Sequence, residues 1–84
     1  MNFPIYAIKD VKAGSFMNLW TESNDNTAER NFDTIRKDTS TIFGTYPTDF
    51  ELWGIGVYDN NTGEITPEVR YIKGGRVLEV LQQG

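Results

Sequence analysis

The sequence predicts an α+β fold: an antiparallel sheet of four to five strands with one helix packed on one face. Three observations carry this reading. The run Asp49 to Ile65, DFELWGIGVYDNNTGEI, has the form of a strand, a tight turn and a return strand. Ala28, Phe32 and Ile35 fall at i, i+4 and i+7, the apolar stripe of an amphipathic helix. The remaining apolar stretches are short and end at Gly, Pro, Asn or Asp, as strands and turns do in a small sheet. At 84 residues the chain is expected to form one domain, 1–84, with 82–84 as a disordered tail.

Phe3 to Val11 supplies Ile5, Tyr6, Ile8 and Val11 for a first strand, with Pro4 near its start, where a missing N–H is tolerated. Lys12-Ala13-Gly14-Ser15 is a turn with Gly14 at the positive-φ position, and Phe16, Leu19 and Trp20 follow in a second extended segment. The helix is read from Asn26 to Lys37. Asn26 and Glu29 have the spacing of a capping box, and Arg36 and Lys37 stand in the last turn, where cations meet the negative end of the dipole. Glu29, Arg30, Asp33, Arg36 and Lys37 are expected in water. After a stop at Asp38 to Ser40, Ile42 and Phe43 are expected under the sheet and Tyr46 extended ahead of Pro47.

In the main hairpin, Phe50, Leu52, Gly54, Gly56 and Tyr58 alternate onto one face and Glu51, Trp53, Ile55 and Val57 onto the other. The two glycines imply a close neighbour, for which the helix is the natural candidate. Asp59 to Gly63 suits a type I turn closed by a left-handed glycine. Glu64 to Thr66 returns, Pro67 marks an edge or the end of pairing, and Val69 to Lys73 reads as a further short strand before a Gly74-Gly75 turn. Val77, Leu78, Val80 and Leu81 form a last apolar piece of undecided type.

Composition removes several classes of chemistry. Without cysteine there are no disulfides or thiolate metal sites. Without histidine there is no imidazole base, ligand or Ser-His or Cys-His pair. The N-terminus, MNFPIYAIKD, lacks the basic and apolar regions of a signal peptide, and no apolar run approaches the ~20 residues of a membrane span. The net charge of -4 repels nucleic acid at long range unless the eight basic residues gather on one face.

Four stretches carry a family resemblance. Tyr6-Ala7-Ile8-Lys9-Asp10-Val11-Lys12-Ala13-Gly14 matches a "YAIRDVKAG" start, and Ala28-Glu29-Arg30-Asn31-Phe32 an "A-x-R-x-F" helix. Tyr46 to Trp53 matches "hPxDFxLY", and Gly56-Val57-Tyr58-Asp59 with Thr62-Gly63-Glu64-Ile65 matches "GxFDxxTG". With these motifs the chain resembles the small nonstructural protein of gokushovirus-type phages, members of the microvirus family with circular single-stranded DNA genomes. The likeness runs in order over roughly the first four-fifths of the chain, each motif weak alone and more specific in combination. Trp53 and Tyr58 replace commoner Tyr and Phe, and the part after Pro67 matches loosely. The resemblance implies a non-virion protein made in the cytoplasm of the infected bacterium that assists single-stranded DNA synthesis, handling or packaging. It carries no catalytic or binding residues with it.

The residues themselves offer one candidate surface. Single-strand binders combine positive charge with aromatic rings on which bases stack. Arg70, Tyr71, Lys73 and Arg76 interleave the two near a glycine turn, and Lys9, Lys12 and Trp53 extend the set. On this reading the basic residues meet phosphates and Tyr71 or Trp53 meets bases of single-stranded DNA, alone or with a phage replication protein. The rival is a protein–protein module that needs only an apolar or acidic patch. Asp59 to Glu64 lacks the glycine position of a calcium loop and is read as a turn, so no metal or other cofactor is expected. Glu51 and Glu64 could face each other across the hairpin, yet no other part of an active site accompanies them, and no enzyme is expected. Phe16, Trp20, Trp53 and Tyr58, with the apolar C-terminal piece, together suggest an exposed patch, for which a homodimer is the default assembly.

Overall fold

A computed structural model describes residues 1–75 of the chain; Arg76, the apolar piece Val77 to Leu81 and the expected tail at 82–84 lie outside them. The elements are β1 (Asn2–Asp10), β2 (Ser15–Thr21), α1 (Asp25–Lys37), α2 (Ile42–Thr45), a 3-10 turn at Pro47–Asp49, β3 (Phe50–Asp59) and β4 (Ile65–Gly74). The four strands form one sheet in the order β2-β1-β3-β4, each neighbour antiparallel.

The two central strands carry the most apolar sequence. Ile5, Tyr6, Ala7 and Ile8 are all buried, and because successive strand residues point to opposite faces, β1 is shielded on both. Tyr6 and Ile8 of β1 join Phe50 and Leu52 of β3 and Ala28 and Phe32 of α1 in the core, with Met17, Trp20, Ile35, Phe43 and Ile72 packed around them. The apolar stripe of α1 is therefore the one its periodicity announces.

Several local expectations are corrected. Asn24, not Asn26, caps α1: its side chain accepts from the Thr27 amide at 2.9 Å. Asn24 holds the extended conformation that a cap needs, and Asp25 becomes the first helical residue. The polar face of α1 is not all solvated: Glu29 and Asp33 meet Lys73, and the Arg36 guanidinium lies over the Phe32 ring, 4.9 Å from its centroid. Of Ile42 and Phe43, only Phe43 tucks in, its ring 4.7 Å from that of Phe50, while Ile42 stays 52% exposed on the short helix α2.

The return strand and the separate strand expected after Pro67 are one strand, β4. As an edge strand it tolerates the proline, which pairs in register with Gly56. Bulges break the expected alternation beyond Gly54: Ile55 is extra against β1, between the pairs Tyr6–Gly54 and Ile5–Gly56, and faces Glu68 and Val69 of β4. The close neighbours of the two glycines are accordingly on β4. A Cβ at Gly54 would sit 3.1 Å from Arg70 Nε, and one at Gly56 would sit 2.5 Å from the Thr66 carbonyl oxygen. Both turns form as read, with Gly14 at φ 72° and Gly63 at φ 79°. Glu51 lies opposite Gly74, far along β3 from the turn where Glu64 sits, so the two carboxylates do not face each other.

The cap assignment has a direct consequence. Asn24→Ala is expected to lower stability by about 1 kcal/mol, read as a shifted urea midpoint, whereas Asn26→Ala leaves it nearly unchanged.

Candidate functional site

The two faces of the sheet differ in chemistry. On the face toward α1, the Tyr6 hydroxyl donates to Asp25 Oδ1 at 2.7 Å, and Arg70 grips both Asp25 oxygens at 2.9 and 2.8 Å. One turn and two turns further along α1, Glu29 and Asp33 meet Lys73 at 3.8 and 3.0 Å. Asp25, Glu29 and Asp33 are spaced i, i+4 and i+8, so they form one acidic stripe on the helix that runs beside the basic residues of β4. Hydrogen bonds from Arg70, then that from Tyr6, hold the Asp25 carboxyl below its ordinary value of 3.8. The bond to Asp25 in turn raises the Arg70 guanidinium. Burial, and next the bond to Asp25, raises the Tyr6 phenol.

The far face carries a row of aromatic rings. Lys9 of β1 stands opposite Phe16 of β2 and opposite Glu51 of β3, while Trp53 of β3 stands opposite Ala7 on one side and Tyr71 on the other. Phe16 and Trp53 meet edge to face at 5.6 Å, and Trp53 and Tyr71 do so at 5.8 Å. The row thus crosses the sheet from edge to edge. Its outer members are open to solvent, Phe16 at 43% and Tyr71 at 38%. Two hydrogen bonds fix it: the Trp53 indole N–H donates to Glu51 Oε1 at 3.0 Å, and the Tyr71 hydroxyl donates to the Gly74 carbonyl at 2.6 Å. Burial, then the charge of Glu51, raises the Tyr71 phenol. The Lys9 ammonium lies over two rings, 5.3 Å from the Trp53 centroid and 5.6 Å from that of Phe16.

Of the seven residues singled out from the sequence, Arg76 lies outside the described residues, and the other six are divided by this geometry. Lys9, Trp53 and Tyr71 come together on the far face. Arg70 and Lys73 point the other way, into ion pairs with α1. Lys12 sits exposed in the turn between β1 and β2, its amide bonded to the Asp10 carboxylate at 3.0 Å. Of the aromatics expected in a self-association patch, Trp20 packs 6.0 Å from Tyr6 on the α1 face, Phe16 and Trp53 belong to the row, and Tyr58, opposite Phe3, lies further along β3.

Phe16 is the member of the row that sequence reading did not place there. Pairing Asp10 with Ser15 across the first turn would have found it, since the next pair outward is Lys9 with Phe16. The acidic stripe of α1 was likewise present in the spacing and gives Arg70 and Lys73 their partners.

Asp25→Asn is expected to cost about 0.5–1 kcal/mol at neutral pH, a modest figure because the Asp25 and Arg70 side chains are 41% and 43% exposed. A depressed carboxyl contributes stability that is present above its ordinary value of 3.8 and lost as pH falls through the lower folded value. The gap between wild type and variant should close below that pH in urea titrations.

No curated protein and no solved structure matches the chain. A family model described as "Phage ORF5 protein" matches it over residues 3–77. That span takes in every described element save the first residue of β1, so the chain belongs to the Phage ORF5 protein family.

Proposed function

We propose that this phage protein is a non-enzymatic accessory factor of a gokushovirus-type phage that binds single-stranded DNA on the far face of its sheet. It would act in the host bacterial cytoplasm, outside the virion, in DNA replication or packaging, alone or with a replication protein. The observation that carries this reading is the row Phe16–Trp53–Tyr71 with Lys9 set among its rings. Aromatic rings on a rigid sheet hold unpaired bases by stacking, which tolerates any sequence because every base has a π-face. Lys9 and Lys12 are the cations best placed for phosphates. Arg70 and Lys73, engaged by α1, contribute little to this surface.

That engagement favours a second reading. With two of the candidate cations neutralised and a net charge of -4, the exposed Leu19, Ile65 and Val69 fit a contact with another protein or a second copy of the chain. On this reading the double variant Arg70→Ala, Arg76→Ala supports phage growth as wild type does. Loss of growth with folding and partner binding intact would count against it.

Tryptophan fluorescence of the pure protein, titrated with single-stranded DNA at low and then moderate salt, tests the main reading. Saturable quenching that weakens with salt is expected, and Phe16→Ala should cost about 1–3 kcal/mol of affinity, the contribution of one stacked base. A flat trace at low salt, repeated with labelled DNA, would sink direct DNA binding.

A further inference from the structure

We propose that Lys9 caps the aromatic row in the free protein and becomes its phosphate ligand when a single-stranded nucleic acid binds. The inference rests on the stacking reading above and adds a two-position role for one residue. The Lys9 ammonium lies over the rings of Phe16 and Trp53 at once, so it occupies space that a stacking base must take. Cation and base compete for the same ring faces. Lysine is suited to yield, because its charge rides on a flexible four-carbon stem and can leave the rings without moving β1. The indole does not follow it, since the Trp53 N–H is held by Glu51 on the same strand. Once displaced, the ammonium stands beside the stacked nucleotide within reach of its sugar–phosphate backbone, while the Glu51 carboxylate opposite Lys9 is engaged by the Trp53 indole.

The two positions respond differently to salt. A phosphate contact on a single strand releases counterions and adds about -0.7 to the slope of log affinity against log salt. A half-buried cation–π contact is screened much less. The cap therefore costs affinity at every salt concentration, while the phosphate contact repays it only at low salt.

The test compares wild type, Lys9→Ala and Lys9→Gln, each checked by circular dichroism and urea unfolding, in titrations of a labelled oligothymidylate across a range of salt. Both variants should show a slope shallower by about 0.7. They should bind more weakly than wild type at low salt and about two- to fivefold more tightly at high salt, the lower end of what a cation–π contact contributes. Parallel lines would overturn the phosphate role, and weaker binding by the variants at every salt would overturn the cap. A flat wild-type titration would instead defeat the stacking reading beneath the proposal and take the proposal with it. Acrylamide quenching in a Trp20→Phe background tests the cap without DNA. Trp53 should be more quenchable in the Lys9 variants, and equal quenching would overturn the cap.

Discussion

A tyrosine hydroxyl inside an apolar core must find a partner, because an unpaired buried polar group costs about 1–3 kcal/mol. Tyr6 is fully buried at the centre of the sheet, and its hydroxyl reaches Asp25 in the first turn of α1. That carboxylate is in turn held by Arg70 of the outermost strand. One chain of hydrogen bonds therefore joins β1, α1 and β4, which are far apart in sequence. It ties the first turn of the helix to the central strand β1 and to the edge strand β4. Gly54 is part of the same arrangement, since the Arg70 guanidinium passes where a Cβ would otherwise be.

The far face follows from this placement. Arg70 and Lys73 turn toward α1, and the residue between them that alternates outward, Tyr71, comes to lie against Trp53. The ion pairs on one side of β4 thus complete the aromatic row on the other. Charges that would have added to a cationic surface are spent within the fold, and the far face is left aromatic with Lys9 among its rings.

The two edges of the sheet are irregular. On β2, Ala7 opposes two residues, Asn18 and Leu19, and Asn18 takes a left-handed conformation at φ 56°. On β4, bulges fall on either side of Arg70 and a proline sits within the strand. Such irregularities spoil the regular ladder that an incoming strand would need.

Local sequence determined the elements whose signals are local. The helix is legible in Ala28, Phe32 and Ile35, the turns in Gly14 and in Asp59 to Gly63, and the strands in short apolar runs, because each depends on neighbours a few residues away. The motifs at Tyr6 to Gly14 and Tyr46 to Ile65 were enough to indicate a phage protein. What needed the tertiary structure was the division of the candidate residues between two faces. Arg70, Tyr71 and Lys73 look like one basic-aromatic cluster along the chain, yet a strand sends neighbours to opposite sides, and bulges at Ile55 and Ile72 shift the count. Lys9 meets Phe16 and Trp53 only through the pairing of β1 with two different strands. Strand register and the long-range pull of α1 on β4 decided which residues share a face, and neither is written in the spacing of residues within any single segment.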